Sequence, residues 1–465
     1  MKVLVSNRIT IDSPSTELYS WCVQNLIVTN PEWQTLTRLG KQDQIARYHI
    51  PQEMKLFVNY GMARLILPFG VLYAIWPFIK NSDIELKLND NGVVLDQNMK
   101  ISMPLFDYQE QAVQKMIVAK GGVLEAAAGS GKTNCGIEII KRIGHNALWL
   151  CHTGDLLRQT VDRIHLLYPD IPVGTITEGK LNMVTNGITV STIQTLVDVE
   201  EDYYKDLFDV VVCDECHKCA GSPTLRKMFV KVIEKIPARY KFGLSATPER
   251  SDTMIKSMYT TLGCNMLGQF EPTFTIDKSK TNTLRATHIR VDLDTPWTYE
   301  VLDADGTFNY MTLLDYLGHN TKRNEQIVEN VIKTLKTHKK QIVLCQRVEH
   351  CETLHQMLLD RGIKSVLLVG KVTKKKRVEI LNRLVDYNVI VGSYALTKEG
   401  LDIKELSCLH WAMLNSNKVD TIQSVGRIER VCEGKPEPEV YDYVDINFPY
   451  CIGKYKKRAG WLKRR

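Results

Sequence analysis

A pattern that occurs twice is the strongest constraint on how this chain folds. From about Gly121 onward, short β-branched runs alternate with turns and helical patterns, which predicts parallel strands joined by crossover helices. The pattern fades near Gly268 and restarts after about Thr321. We therefore expect two α/β lobes in these 465 residues, a length that usually forms more than one core. The predicted strands are Val123–Glu125, Ala147–Cys151, Asp209–Cys213 and Phe242–Ser245 in the first lobe, and Gln341–Cys345, Ser365–Val369, Val389–Gly392 and Val440–Val444 in the second.

Domain boundaries follow from where this pattern is weak. Residues 1–100 show it poorly and are assigned to a small, separate N-terminal domain. The two lobes are placed at 101–268 and 322–450. Residues 269–321 are richer in Thr, Asp and Pro, which is typical of a linker with a small insertion. Residues 451–465 are expected to form a basic C-terminal tail, which is either simply solvated or binds phosphates through its basic residues and stacks on bases through its aromatic ones.

Composition and charge narrow the class of protein without deciding it. The net charge of +7 is compatible with a phosphate-binding surface and is equally common in proteins that bind no nucleic acid. The 12 cysteines follow no regular framework, which favours reduced thiols. Residues 1–8 become polar too early for a secretory signal, and the apolar segment Leu65–Ile79 is shorter than the ~20 residues of a membrane-spanning helix. We expect a cytoplasmic protein with no membrane partner.

A phosphate-binding loop is indicated at Ala126–Thr133, with the sequence Ala-Ala-Ala-Gly-Ser-Gly-Lys-Thr. It follows a predicted strand and opens a helix, a setting in which backbone N–H groups and the helix N-terminus bind phosphates. The Lys would reach the β- and γ-phosphates of ATP and the Thr hydroxyl would bind Mg²⁺. The loop begins with Ala instead of Gly, so the match to the general pattern is imperfect. The predicted nucleotide contacts are Ala128, Gly129, Ser130, Gly131, Lys132 and Thr133.

Two adjacent acids strengthen this prediction. The predicted strand Asp209–Cys213 runs directly into Asp214 and Glu215. One carboxylate would hold Mg²⁺, and the second would orient and deprotonate the attacking water. Acids at the carboxyl end of a strand lie on the ligand-binding edge of a parallel sheet. A solvated strand end would not explain a phosphate loop some eighty residues earlier.

The sequence Asp214-Glu-Cys-His217 resembles motif II of superfamily 2 helicases, and further motifs of that family follow in order. The resemblance implies two RecA-like lobes, ATP and Mg²⁺ as cofactors, and movement along nucleic acid. Phe106 and Gln109 are similar to the element that recognises adenine, with Phe106 where many relatives have Arg. His217, Ser245 and Thr247 would couple hydrolysis to movement.

The resemblance extends to the residues that contact nucleic acid and the γ-phosphate. Segments around Leu148–Gln159 and Thr189–Leu196 resemble motifs that touch the nucleic-acid backbone, and the family's second-lobe motifs follow. Two arginines at the family's spacing would act as arginine fingers, since a planar, permanently charged guanidinium suits developing phosphate charge. The implied nucleic-acid contacts are Thr153, Gln159, Thr192, Arg347, Thr397 and Lys398; the implied nucleotide contacts and catalytic residues of the second lobe are Gly400, Asp402, Gln423, Arg427 and Arg430.

Some features of the sequence have more than one interpretation. Three cysteines at 213, 216 and 219 around His217 have metal-binding spacing. We expect that these cysteines bind no metal ion, because a tetrahedral site there would compete with Mg²⁺ for the adjacent acids. Residues Asn30–Trp33 and Arg64–Gly70 resemble, faintly, the leading domain of phage UvsW-type helicases, which implies a duplex-binding domain and a phage protein in the host cytoplasm. A plain structural cap on the first lobe is the alternative.

The function predicted from the sequence is an ATP-dependent DNA helicase or translocase, with a monomer as the default state. Forked or branched DNA is the preferred substrate along which the motor would move, as in branch migration, recombination or replication. An RNA helicase and the motor part of a restriction system stay open, because motor motifs contact the sugar-phosphate backbone and read little sequence. From a different class, a nucleic-acid-binding module switched by ATP is disfavoured by Glu215, Arg427 and Arg430, which a simple binder does not need.

Overall fold

The computed structural model describes residues 1–127, 129–177, 179–220, 223–246, 254–277, 279, 281, 284–370, 379–380, 383–394, 403–415 and 417–463. The chain forms two compact units, Met1–Thr281 and Asn282–Arg465. Within the described residues, no helix combines the length and the apolar character needed to cross a bilayer.

The N-terminal domain is built on a five-stranded sheet with the order β5-β6-β2-β1-β7. Strands β1 and β2 are antiparallel, β1 and β7 are parallel, and alternate residues such as Val3, Ile9 and Leu65 are buried on one face. A short second sheet joins β3 to β4. The elements are β1 Lys2–Val5, β2 Arg8–Asp12, α1 Thr16–Asn25, β3 Ile27–Thr29, α2 Pro31–Arg38, α3 Gln42–Arg47, β4 Glu53–Lys55, β5 Val58–Tyr60, β6 Arg64–Pro68, α4 Leu72–Ile79 and β7 Asp83–Leu86.

The first lobe is an eight-stranded sheet with the order β11-β10-β12-β9-β13-β14-β8-β15, parallel except for β11. All four strands predicted for this lobe are present, and Trp149 is fully buried in its core. The elements are α5 Asp107–Ala119, β8 Gly121–Ala126, α6 Lys132–Ile143, β9 Ala147–Cys151, α7 Gly154–Leu167, β10 Val173–Thr177, β11 Lys180–Asn182, β12 Ile188–Thr192, α8 Ile193–Leu196, β13 Val210–Asp214, α9 Pro223–Ile233, β14 Tyr240–Ser245, α10 Ile255–Leu262 and β15 Phe274–Ile276.

The second unit is a six-stranded parallel sheet with the order β16-β21-β20-β17-β19-β18. The four strands predicted for this lobe are present. The predicted α/β class with two RecA-like lobes and a small N-terminal domain is therefore confirmed. The elements are β16 Thr287–Leu293, α11 Tyr310–His319, α12 Thr321–Thr334, β17 Gln341–Cys345, α13 Val348–Asp360, β18 Ser365–Leu368, β19 Val389–Ser393, β20 Cys408–Trp411, α14 Lys418–Ile428, β21 Glu439–Asp445 and α15 Pro449–Lys463.

Two segments differ from the expectation. Residues 269–321, expected to be a linker, contribute β15 to the first sheet and β16 to the second, where both strands pair in parallel with a neighbour. The expected C-terminal tail is instead helix α15 for residues 451–463, with Arg458 only 1% exposed. The two strands were not predicted because edge strands are short and show weak periodicity. Helix α15 was not predicted because its basic residues are typical of a solvated tail and only a few of its side chains are buried.

The connection between the N-terminal domain and the first lobe is held by a partly buried network of hydrogen bonds and ion pairs. His145 Nδ1 lies 2.6 Å from Asp209 Oδ2, and both Asp209 oxygens accept hydrogen bonds of 2.8 Å from Asn91. Asp90 is bound by Arg239 at 2.5 Å and approaches the same histidine at 3.9 Å. These contacts satisfy the buried carboxylate, so the segment leading into the lobe is fixed to its sheet.

The N-terminal domain also packs closely onto the first lobe through Gly70. The Gly70 carbonyl accepts a 2.9 Å hydrogen bond from the backbone N–H of Cys264. A Cβ atom at Gly70 would lie 2.3 Å from the Tyr259 carbonyl oxygen and 2.5 Å from that of Thr260. Arg8 adds an ion pair to Glu234. The two domains therefore share one hydrophobic core, and only glycine fits at their closest approach.

We predict that Gly70→Ala destabilises the first unit by about 1–3 kcal/mol, because the new methyl group meets backbone atoms that cannot rotate away. Urea unfolding of the full chain measures the change. Gly453→Ala is the control: a Cβ there meets nothing within 4 Å, and alanine favours its helix. Equal stability of Gly70→Ala and the wild type would show that the two domains do not pack this closely in solution.

Candidate ATP-binding site

The phosphate loop lies between β8 and α6, as the sequence predicts. Gly129 and Gly131 have φ angles of +85° and +83°, a conformation that favours glycine. Ser130 is fully buried, and its hydroxyl donates a 2.7 Å hydrogen bond to the Ala127 carbonyl. Lys132 and Thr133 form the first turn of α6 and are partly buried. Ala128 lies outside the described residues.

Gln109, on helix α5, holds this loop in place. Its side chain is 2% exposed, and its Nε2 donates a 2.8 Å hydrogen bond to the Ser130 carbonyl. Its Oε1 accepts a 3.0 Å hydrogen bond from the backbone N–H of Phe106. A Cβ at Gly131 would lie 2.2 Å from Gln109 Nε2. The amide can form further hydrogen bonds, so its predicted contact with a base stays a prediction.

Phe106 lies at the surface directly before α5. Its side chain is 50% exposed, and its ring stacks on Tyr108 with centroids 5.6 Å apart and an interplanar angle of 13°. The two rings form an exposed aromatic surface at the start of the helix that carries Gln109. An adenine ring could extend this stack, although the resemblance suggested Phe106 alone.

The acidic pair lies at the carboxyl end of β13, close to the phosphate loop. Glu215 Oε1 is 3.5 Å from Lys132 Nζ, although 83 residues separate them. Glu215 has a φ of +49°, which is uncommon for a non-glycine residue and marks local strain. Asp214 is 6% exposed and its Oδ1 accepts a 2.9 Å hydrogen bond from the Glu215 N–H. The strand edge therefore brings a lysine and two carboxylates together.

The two carboxylates have different electrostatic environments. Burial raises the pKa of Asp214, and the neighbouring Glu215 charge raises it further. Burial would also raise the pKa of Glu215, but the Lys132 ammonium and His217 outweigh this and lower it. Glu215 Oε2 is 3.3 Å from His217 Nδ1. This oxygen is buried and has no hydrogen-bond partner among the described residues. This buried, ionised oxygen is suited to bind a water molecule.

His217 and Ser245 connect the acidic pair to the next strand. His217 Nδ1 lies 3.1 Å from the Ser245 hydroxyl, and both residues are buried. Ser245 ends β14, which lies between β8 and β13 in the sheet. Two of the three predicted coupling residues are therefore in contact. Thr247 lies outside the described residues.

The cysteines around His217 face different neighbours. The Cys213 and Cys219 sulfur atoms are 3.7 Å apart, whereas Cys216 Sγ lies 3.5 Å from the Met258 sulfur. Burial raises the pKa of Cys213 and Cys216 well above the ordinary value. These thiols therefore pack as neutral, apolar groups in the core.

The predicted nucleic-acid contacts of the first unit lie on β12, on helix α7 and at the N-cap of that helix. Thr153 caps helix α7 by accepting a 3.3 Å hydrogen bond from the Leu156 N–H. Thr192 ends β12, which neighbours the strand β9 that precedes Thr153, and its hydroxyl is 2.8 Å from that of Thr195. Gln159 is on α7, partly buried. The structure thus places these three residues on adjacent elements.

In the second unit, Gln423 and Arg427 lie on helix α14, and Arg430 lies two residues beyond its end. Gln423, Arg427 and Arg430 are partly exposed, whereas Thr421, Ser424, Val425 and Ile428 are buried. The indole N–H of Trp411 donates a 3.2 Å hydrogen bond to the Ser424 hydroxyl and so anchors the buried side.

Arg347 follows β17, with its Nε 3.2 Å from Asp315 Oδ1. It is the one predicted nucleic-acid contact of the second unit that the described residues include. Thr397, Lys398, Gly400 and Asp402 lie outside them.

Comparisons with known proteins identify the family of the chain. Residues 102–250 match the family model for the res subunit of type III restriction enzymes, and residues 323–432 match that for the helicase conserved C-terminal domain. The chain is 27% identical to "Putative ATP-dependent RNA helicase L396" of Acanthamoeba polyphaga mimivirus, over 79% of this chain and 69% of that protein. It is 23% identical to "ATP-dependent DNA helicase uvsW" of Enterobacteria phage T4, over 56% of this chain and 50% of that one.

The fold is also that of a solved structure, S. cerevisiae Dbp5 bound to RNA and ADP BeF3. The TM-score is 0.57 at 14% identity, over 78% of this chain and 88% of that one. Fold, site and family models together place the chain in superfamily 2 of the helicases. It is an ATP-dependent helicase, as the sequence motifs predict.

We predict that Gln109→Glu weakens ATP binding roughly tenfold, because a carboxylate still accepts from the Phe106 N–H but cannot donate to the Ser130 carbonyl, and an unpaired buried group costs about 1–3 kcal/mol. Titration with a fluorescent ATP analogue measures the affinity. Gln111→Glu is the control, since this residue is exposed on the same helix and gains the same charge. Equal affinities of the two variants would show that Gln109 does not hold the loop.

Proposed function

We propose that this helicase is an ATP- and Mg²⁺-dependent motor that acts on DNA and remodels forked or branched DNA. The proposal that the protein acts on forked or branched DNA is supported by the close packing of the N-terminal domain onto the ATP-binding lobe through Gly70 and Cys264. A domain fixed in this way moves with the lobe. It could hold a duplex while the motor steps along one strand.

For ATP hydrolysis, we assign roles to the groups at the edge of the first sheet. Lys132 binds the β- and γ-phosphates, and the Thr133 hydroxyl and Asp214 hold Mg²⁺. Bound Mg²⁺ would neutralise phosphate charge and orient the γ-phosphate for attack. Glu215 accepts a proton from the attacking water, a role supported by its Oε2, which is buried and has no hydrogen-bond partner among the described residues. Phe106 stacks on adenine.

The second unit supplies the remaining catalytic groups in this proposal. Arg427 and Arg430 bind the γ-phosphate as charge develops on it, and Gln423 positions these groups and the water. Their partial exposure, on α14 and just beyond its end, supports this assignment, because side chains that bind a ligand need access to it. Gly400 and Asp402 are proposed to contact the nucleotide.

We propose that nucleic acid binds at Thr192, which ends β12, at Thr153 and Gln159 on the adjacent helix α7 and its N-cap, and at Arg347, Thr397 and Lys398 in the second unit. These polar and basic side chains suit a sugar-phosphate backbone, which carries no sequence information. The names of the relatives include both an RNA and a DNA helicase, so an RNA track is the alternative. The match to a restriction-enzyme subunit favours a third candidate, the motor part of a restriction system.

We predict that Arg430→Ala lowers ATP turnover by about 10³–10⁵-fold, the range measured for arginine fingers, with a much smaller change in ATP affinity. Steady-state hydrolysis and equilibrium binding separate the two effects. Lys132→Ala is the reference for complete loss of hydrolysis in a folded protein. Arg361→Ala, an exposed arginine at the end of α13, is the neutral control. Normal turnover in Arg430→Ala would contradict the assignment.

The track is tested by measuring ATP hydrolysis of the full chain with single-stranded DNA, forked DNA, a four-way junction and RNA in parallel. We expect the largest stimulation from the fork or the junction, because these offer both a single strand and a duplex. Strongest stimulation by RNA would favour the RNA helicase instead. ATP-dependent binding without stimulated hydrolysis would favour a binding module switched by ATP.

A further inference from the structure

The loop between β20 and α14 has an unusual set of contacts. Residues 412–415 of this loop are buried, and each of their four consecutive backbone carbonyls accepts a hydrogen bond from a different side chain. The donors and distances are Arg323 Nη2 to Ala412 at 2.8 Å, Tyr394 Oη to Met413 at 2.7 Å, Gln346 Nε2 to Leu414 at 2.6 Å and Arg458 Nη1 to Asn415 at 2.9 Å.

Two of these donors are buried arginines that are themselves fixed. Arg323 on α12 forms a 2.8 Å hydrogen bond through Nε to Asp445, and Arg458 on α15 forms one of 2.9 Å through Nε to Asp442. Both arginines are at most 2% exposed, and both aspartates are fully buried on β21. These ion pairs hold two ends of the loop, at Ala412 and Asn415, against the sheet.

The other two donors come from segments next to predicted nucleic-acid contacts. Gln346 directly precedes Arg347, which follows β17. Tyr394 directly follows β19 and precedes Thr397 and Lys398 in the sequence. A movement of Gln346 would therefore displace the Leu414 carbonyl, and a movement of Tyr394 would displace the Met413 carbonyl.

The loop in turn fixes the start of α14. The Asn415 side chain accepts a 2.9 Å hydrogen bond from the Asn417 N–H, and the Asn417 carbonyl accepts a 2.8 Å hydrogen bond from the Thr421 hydroxyl. Arg427 and Arg430 follow on the same helix and just beyond it. A shift of the loop therefore changes where these arginines lie.

We propose that Gln346 and Tyr394 are positioning residues of a relay that couples nucleic-acid binding to the arginine fingers through the loop 412–415. Arg323 and Arg458 restrain the outer carbonyls, at Ala412 and Asn415, so displacement of Arg347 or Tyr394 turns the peptide units between them. This turn shifts the Asn415 side chain that accepts the hydrogen bond from Asn417. The relay rests on the proposed function, since it needs a nucleic-acid track and catalytic Arg427 and Arg430. Neither Gln346 nor Tyr394 contacts substrate in this proposal.

The test is Tyr394→Phe, which removes one hydroxyl and keeps the ring. Hydrolysis is measured without and with saturating single-stranded DNA. We expect the ratio of stimulated to basal turnover to fall roughly 3- to 30-fold, the range expected for residues along a coupling path. The KM for ATP and the affinity for the strand should change little. Gln346→Met, at a partly buried site, makes the same test if Tyr394→Phe does not fold.

Tyr316→Phe is the matched control, because the Tyr316 hydroxyl also donates to a carbonyl, that of Pro296, at 2.9 Å in the same unit. It should keep normal stimulation. Unchanged stimulation in both Tyr394→Phe and Gln346→Met, equal loss in the control, or a loss of strand affinity instead of turnover would each overturn the relay. A wild-type enzyme that no polymer stimulates would instead refute the proposed function, and the relay with it.

Discussion

The parallel pairing of β8, β14 and β13 is the constraint on which the ATP site depends. Their carboxyl ends meet at one edge, so Lys132 and Glu215 come within 3.5 Å despite their separation in sequence. The middle strand contributes Ser245, which meets His217 from the neighbouring strand end. A site with this geometry requires only that each strand stops at the right residue. Short strands followed by glycine-rich or acidic turns meet that requirement.

The same edge carries strain and incomplete hydrogen bonding. Glu215 adopts a positive φ, and one of its buried oxygens accepts no hydrogen bond from the described residues. Both features cost stability, and such costs persist where the surrounding structure fixes them. Gly243 on β14 permits this turn, because a Cβ there would lie 2.8 Å from the Cys216 sulfur. Glycine at this position therefore lets the Cys216 side chain pack directly against β14, next to Glu215.

Sequence reasoning predicted the two lobes, their main strands and the site residues that lie in local motifs. It did not predict the hydrogen bond from Gln109 to the Ser130 carbonyl, because a side chain that binds a backbone atom distant in sequence leaves no periodic signal. The N-terminal sheet was missed because β1 and β7 pair across some eighty residues. Arg458 was read as part of a basic tail, since charge alone does not distinguish a solvated arginine from one paired with a buried Asp442.

The two units hold their predicted catalytic groups by different means, and this affects how each unit tolerates substitution. In the first unit, backbone geometry at strand ends positions the side chains. In the second, long side chains reach across to the loop 412–415, and two of them are charged and buried. Removing one member of a buried ion pair leaves the other uncompensated, which costs about 3–5 kcal/mol, whereas the intact pair adds little stability by itself. Helix α15 is therefore an integral part of the second lobe, because Asp442 depends on Arg458 for a buried cationic partner.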